Sequence, residues 1–79
     1  MPYITSWRRA QTIAIGPTDT GELNYAISCL LRDYCGRKGL SYAIINDCLG
    51  AIEGAKFEFV RRVVTPYEDA AIQRNGDVY

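Results

Sequence analysis

The amino-acid sequence predicts an all-α fold, and three observations carry that prediction. Apolar residues recur at intervals of three and four along most of the 79 residues, as they do on one face of a helix. Polar capping residues precede these periodic stretches, and Gly or Pro follows them. A short basic turn, CGRKGLS, joins the two longest stretches. We predict a short N-terminal helix, an antiparallel helical hairpin and a short C-terminal helix after a Thr-Pro break, assembled as a homo-oligomer.

The first predicted helix lies in the stretch SWRRAQTIAI. Ser6 is a suitable N-cap, and Trp7, Ala10 and either Ile13 or Ala14 then fall on one side of the helix. The pair Gly16-Pro17 is expected to end it.

The second predicted helix opens at Asp19 or Thr20. Glu22 lies three residues after Asp19, which is the spacing of a capping box, and apolar residues follow at helical intervals. Gly36 is the expected stop, because glycine is the residue best suited to the turn that closes a helix.

The longest predicted helix runs over residues 42–64, with Ser41 as its cap. Successive residues are turned by ~100°, so one stripe of this helix is apolar and is the expected core face. The stripe consists of Ile45, Leu49, Ile52, Phe59 and Val63. Lys56 falls within the stripe and has two interpretations: its stem packs while its ammonium reaches an acid or water, or it lines a pocket for an anion.

The segment after this helix carries a second start signal. Thr65 fits an N-cap, Pro66 the first helical position, and Glu68 the third, so the long helix is expected to break or kink at Thr65. Asn75-Gly76 is the expected end of the short last helix, and residues 75–79 form a polar tail.

Two glycines mark a second face of the long helix. Gly50 and Gly54, followed by Phe57, lie across the helix from the core stripe. Two glycines cost a helix roughly 2 kcal/mol relative to alanine, a cost that is easier to understand if another backbone comes close. Gly50, Gly54 and Phe57 are therefore the predicted oligomer interface.

Composition limits the remaining choices. Residues 1–79 have room for one domain, and a chain this short buries little surface, which favours a partner. Nine basic and nine acidic residues cancel, which disfavours nucleic-acid and membrane-surface partners. Three cysteines without CxxC spacing and the lack of histidine argue against zinc, any other metal site and a disulfide scaffold. The N-terminus has no long apolar run, so we expect a cytoplasmic protein.

Three motifs carry a resemblance to a known family. GELNYAIS at residues 21–28, LSYAIINDCLGAIEGAKFEFVRRVVTPYED at 40–69 and NGDVY at 75–79 resemble a family of small proteins encoded by tailed bacteriophages. The resemblance covers roughly residues 20–79. It implies a phage source, and hence the cytoplasm of an infected bacterial cell, but it supplies no established activity.

The predicted function is stoichiometric binding of a small ligand. Phage proteins that sequester the cyclic nucleotide messengers of bacterial defence use a similar plan, a helical hairpin in a symmetric oligomer. Arginine forks suit phosphate, tyrosine rings suit base stacking, and an asparagine suits a base edge. The candidate ligand-binding residues are Arg61, Arg62, Tyr67, Lys56, Asn24 and Tyr25, with Asp69 and Asp77 as carboxylates that orient the arginines. No cofactor is expected.

Two alternatives come from other classes of function. A protein-binding inhibitor, or a virion or regulatory accessory protein, would instead use an exposed patch such as the side of Phe57, Val64 and Tyr67. An enzyme would need its carboxylates arranged for acid–base chemistry or Mg²⁺ binding. The sequence offers Asp33, Asp47, Glu53, Glu58, Glu68 and Asp69 without a motif that arranges them, so we expect no enzymatic activity.

Overall fold

A computed structural model describes residues 2–79, and every regular element in that range is helical. Helix α1 spans Ser6–Ile15, α2 spans Thr20–Lys38 and α3 spans Tyr42–Phe59; a π-helical turn over Val60–Val64 then leads into α4, Thr65–Asn75. The all-helical prediction is confirmed for these residues. The chain divides into two compact units, the first ending at Ile45 and the second comprising Asn46–Tyr79. The antiparallel packing of α2 and α3 stays a prediction.

Helix α1 begins one residue earlier than its predicted cap implies. Thr5 has an extended backbone, and its Oγ1 accepts a hydrogen bond from the Arg8 backbone N–H at 3.3 Å. Ser6 is already helical, and its Oγ accepts from the Arg9 guanidinium, so the prediction of Ser6 as the cap was wrong by one position. The predicted end at Gly16 is confirmed: its φ of 108° lies in a region that favours glycine.

Helix α2 starts as predicted and ends later than predicted. The Asp19 carboxylate caps it by accepting from the Glu22 N–H at 2.8 Å. Gly36 is an interior residue of α2, and the helix continues to Lys38. The prediction of Gly36 as the stop was wrong because Gly39, with φ 85°, provides the left-handed conformation that ends this helix.

Helix α3 begins where the sequence predicts. Ser41 precedes the helix, and its Oγ accepts from the Ile44 backbone N–H at 3.3 Å. The apolar stripe of α3 is exposed: Leu49 keeps 58% and Phe59 59% of its accessible surface. No hydrophobic side chain among the described residues is buried. The expectation that this stripe is covered by a core is therefore wrong for this chain by itself, because one helical stretch cannot bury its own side chains.

The predicted short last helix begins at Thr65, as expected, but the predicted side-chain cap is absent and the chain does not leave the helical path there. Val64 and Thr65 both have α-helical dihedral angles, and no side chain caps α4. The helical path continues, because the backbone widens into a π turn in which the Thr65 N–H donates to the Val60 carbonyl, five residues earlier. A proline inside a regular helix lacks a donor and clashes with the carbonyl four residues before it, and the wider turn relieves that clash. Residues 67–74 therefore continue the helix and do not fold back beside Arg61 and Arg62. The predicted end of α4 at Gly76, with φ 89°, is confirmed.

Candidate ligand site at the π turn

The two arginines of the closing motif lie inside the π turn. Arg61 and Arg62 are its second and third residues. Because the Thr65 N–H is used by Val60 and Pro66 has no N–H, the carbonyls of both arginines lose the donors that a regular α-helix would supply. Such turns are frequent at functional sites of helical proteins. The π turn thus places two adjacent guanidinium groups on one short stretch.

The two arginines differ in their partners. Arg61 donates from a terminal guanidinium nitrogen to Glu58 Oε2 at 3.3 Å, and both side chains are largely exposed. An exposed pair of this kind contributes little to stability. Arg62 makes no ion pair within residues 2–79. Arg62 is therefore the arginine of the pair whose whole fork is available to an anion.

Tyr67 and the two predicted orienting carboxylates follow in the chain. Tyr67 lies in the first turn of α4, and 68% of its surface is exposed, so its ring can accept a stacking partner. Asp69 is also exposed on α4. Asp77 lies in the tail and accepts a hydrogen bond from the Tyr79 backbone N–H at 3.1 Å. In the described structure neither aspartate contacts an arginine side chain, so their orienting role stays a prediction.

Lys56 is an exposed residue on α3. Among the described residues it forms no ion pair. Its role as a ligand residue stays a prediction.

Asn24 and Tyr25 belong to the first unit, on α2. The Asn24 side-chain oxygen accepts from Ser28 Oγ at 3.3 Å. Tyr25 is half-buried, and the pKa of its phenol is raised, first by a hydrogen bond with the Cys29 thiol and then by partial burial. The nearby Arg32 acts in the opposite direction on that pKa. Tyr25 thus has contacts of its own on α2, and its union with the arginines in one site stays a prediction.

One cluster of the first unit was missed by the sequence analysis. Thr12 and Glu22 are buried, with 5% and 3% of their surface exposed. The Glu22 carboxylate accepts from Arg8 Nε at 3.0 Å and from the Thr18 N–H and Oγ1 at 3.1 and 2.9 Å. The Arg8 guanidinium also pairs with Asp19. The bond from Arg8 is the largest cause that holds the pKa of Glu22 below its ordinary value of 4.5. This cluster fastens α1 to the start of α2.

The face of α3 that carries Gly50 and Gly54 is open. Gly50 and Gly54 are ordinary helical residues, and a Cβ atom added at either position would meet no atom within 4 Å. Neither glycine is therefore required by a positive φ or by a close contact among the described residues. Among the described residues, no close contact accounts for the cost of two helical glycines, roughly 2 kcal/mol relative to alanine.

The comparisons with known proteins identify a family without assigning an activity. A family model described as Domain of unknown function (DUF6899) matches residues 1–78. Neither the curated proteins nor the solved structures contain a significant match to the chain. Within residues 2–79, no helix combines the length and apolarity needed to cross a lipid bilayer.

Proposed function

The chain belongs to the family described as Domain of unknown function (DUF6899), a description that assigns no activity, and we propose a function from the residues of the chain itself. The protein is a bacteriophage accessory protein that acts by stoichiometric binding in the cytoplasm of the infected bacterium. It sequesters a small anionic, nucleotide-type signalling molecule of the host's antiviral defence. It carries out no catalysis and needs no cofactor.

One observation carries this proposal. Arg62 lies in the π turn without an ion pair in the described part of the chain, and the exposed ring of Tyr67 follows five residues later. A guanidinium fork binds phosphate through charged hydrogen bonds, and an aromatic ring stacks on a base. Lys56 supplies a further donor within the second unit.

The ligand-binding form is a homo-oligomer. The face of α3 that carries Gly50, Gly54 and Phe57 lies between its subunits. The exposed apolar side chains of α3 support this arrangement, since monomeric soluble proteins rarely leave large apolar patches uncovered.

Isothermal titration calorimetry tests the proposal directly. The purified protein is titrated with 3′,5′-cyclic mononucleotides, cyclic dinucleotides and linear dinucleotides, beside the Arg62→Ala variant. We expect Arg62→Ala to weaken binding by about 1.5–3 kcal/mol, the range for hydrogen bonds to charged groups, with unchanged thermal stability. Arg37→Ala is the matched control, because Arg37 is an exposed arginine in the last turn of α2. The absence of heat with every nucleotide would contradict the proposal.

A second candidate function is favoured by a different observation. Two large aromatic residues of the second unit are exposed: Phe57 keeps 64% of its accessible surface and Tyr67 keeps 68%. Val64, which lies between them in sequence, is half-buried. Exposed aromatics are typical anchors of protein interfaces. The alternative is therefore a protein-binding inhibitor, or a virion or regulatory accessory protein, without a small-molecule ligand.

The two functions separate in one comparison. Under the alternative, Phe57→Ala abolishes capture of a host protein, whereas Arg62→Ala changes neither capture nor any nucleotide heat. Under the proposed function, Arg62→Ala weakens nucleotide binding.

A further inference from the structure

Three residues of the second unit recur at equal spacing along α3 and the π turn that follows it. Asp47, Gly54 and Arg61 are each seven residues apart. Seven residues make almost two turns of an α-helix, so Asp47 and Gly54 lie on one side of α3, about 10.5 Å apart along its axis. Arg61 is the second residue of the π turn and follows Gly54 on about the same side. Gly50 and Phe57 belong to the same side. We refer to these five residues as the glycine face.

The glycine face and the apolar stripe lie on opposite sides of α3. At ~100° per residue, the mean directions of the two are about half a turn apart. A single neighbouring helix can cover one of them. Both are exposed in the structure, with Leu49 on the stripe and Phe57 on the glycine face each more than half exposed. Whatever covers the stripe, the glycine face is left for a second partner.

The charges of the glycine face indicate what that partner is. The face carries an acid at one end and a base at the other, with the small residue Gly54 midway between them. Asp47 forms no ion pair in the described part of the chain, and Arg61 has only the exposed contact with Glu58. When two copies of such a face pack antiparallel, the acid of each copy lies opposite the base of the other. A parallel pairing would instead bring like charges together.

We propose that two copies of this chain pair antiparallel through the glycine face of α3, with the two-fold axis at Gly54. Asp47 of each copy then lies opposite Arg61 of the other, and the dimer contains two such pairs related by symmetry. Gly50 and Gly54 allow the two helix backbones to approach closely, which accounts for glycines that the single chain does not require. A net charge of zero adds no overall repulsion between the copies.

This inference rests on the proposed function in one respect, that the subunits associate. It adds how two of them pair. The pairing uses Arg61 between subunits and leaves Arg62 to the ligand. The two arginines of one motif thus have separate tasks, and two Arg62 sites occur per dimer.

A charge-swap experiment on the full chain tests the pairing. In Asp47→Arg each copy presents a base opposite the base at position 61, and in Arg61→Asp each presents an acid opposite an acid. We expect either variant alone to raise the dimer dissociation constant about tenfold or more, measured by sedimentation equilibrium without nucleotide. The doubly swapped chain, Asp47→Arg with Arg61→Asp, should regain the original constant. An equimolar mixture of the two single variants should form a one-to-one heterodimer, because both cross-pairs are then restored.

Controls with the same change of charge lie outside the glycine face. Glu68→Arg in α4 and Arg37→Asp in α2 should leave the dissociation constant within about twofold of the original. Circular dichroism establishes that each single variant keeps its helix content, so that a loss of pairing is not a loss of folding.

Several results would overturn the pairing. It is wrong if the original chain is monomeric at every concentration, if the single variants associate as well as the original chain, or if neither the double swap nor the mixture recovers association. Since the readout is mass without ligand, failure of this pairing is distinct from failure of nucleotide binding, which calorimetry with Arg62→Ala measures.

Discussion

Arg8 donates from Nε to the buried Glu22 carboxylate at 3.0 Å, and this bond joins α1 to the first turn of α2. The same carboxylate accepts from the Thr18 N–H and hydroxyl, so several donors favour its ionised form. The first unit thus depends on one negative charge that is held in place by its neighbours.

We predict that this charge makes the stability of the first unit depend on acid pH. The pKa of Glu22 is lower in the folded chain than its ordinary value of 4.5. Its stabilising contribution is therefore complete above pH 4.5 and is lost as the pH falls through the folded pKa. Urea unfolding of the original chain and of Glu22→Gln, followed from pH 7 to pH 3, should show the two stabilities converging at low pH.

Glu68→Gln is the control for this titration, because Glu68 is an exposed acid in the first turn of α4. Its pH profile should run parallel to that of the original chain. Parallel profiles for Glu22→Gln as well would show that the Glu22 charge is not the cause.

A second prediction concerns the π turn. Replacing Pro66 with alanine returns an N–H to the backbone and removes the ring that would clash with the carbonyl of Arg62 in a regular α-helix. We expect Pro66→Ala to convert the turn to a regular α-helix and to raise the free energy of unfolding by about 1–3 kcal/mol. The Thr65 amide, observed by NMR, should change its acceptor from the Val60 carbonyl to that of Arg61.

Pro17→Ala provides the comparison, since Pro17 lies between α1 and α2 outside any helix. There the loss of a rigid residue should lower stability by about 0.4–1 kcal/mol. An unchanged Thr65 amide in Pro66→Ala would mean that the π turn has another cause.

A third prediction distinguishes Gly36, a helical glycine outside the proposed interface, from Gly54, a helical glycine within it. Gly36 in α2 and Gly54 in α3 both leave room for a Cβ atom. Gly36→Ala should therefore raise the free energy of unfolding by about 1 kcal/mol through helix propensity. Gly54→Leu should also favour the helix but block association of the chains, which a sedimentation measurement would detect. An unchanged subunit number in Gly54→Leu would contradict the inference that the glycines allow two chains to pack closely.

A fourth prediction concerns the ring of Tyr67. Base–aromatic stacking contributes about 1–3 kcal/mol per base by alanine substitution. Tyr67→Ala should weaken nucleotide binding by that amount in calorimetry, whereas Tyr67→Phe keeps the ring and should bind within about twofold of the original chain. Tyr42→Ala removes an even more exposed tyrosine at the start of α3 and should have no effect. If Tyr42→Ala weakened nucleotide binding equally, the effect of Tyr67→Ala would not be specific to the ring of Tyr67.

The accuracy of the sequence predictions depended on how local their causes are. Asp19 and Ser41 were identified as caps because a capping bond joins residues three apart. The stop at Gly36 was wrong because two glycines compete within four residues, and only the backbone conformation of Gly39 decides between them. At Thr65 the sequence Thr-Pro-Tyr-Glu is compatible with a new helix start and with a proline absorbed by a π turn, and the side chains alone do not distinguish these.

The same distinction between local and long-range causes applies to the candidate site. The sequence identified Arg61, Arg62 and Tyr67 as chemically suitable residues, yet it could not show that Glu58 is the partner of Arg61 or that the backbone widens there. It also missed Arg8, whose partners lie 11 and 14 residues away across a turn. Contacts between elements follow from packing, and no pattern within one helix encodes them.

The short range of the Arg8 contacts has a consequence for how the chain acquires its structure. Its bonds to Asp19 and Glu22 close small loops, which cost little entropy, and helical units rich in such contacts fold within microseconds to milliseconds. During synthesis, at about 5–20 residues per second, the pairing of α1 with α2 is thus complete long before the later residues leave the ribosome. The exposed helix that follows then emerges beside a part of the chain that is already folded.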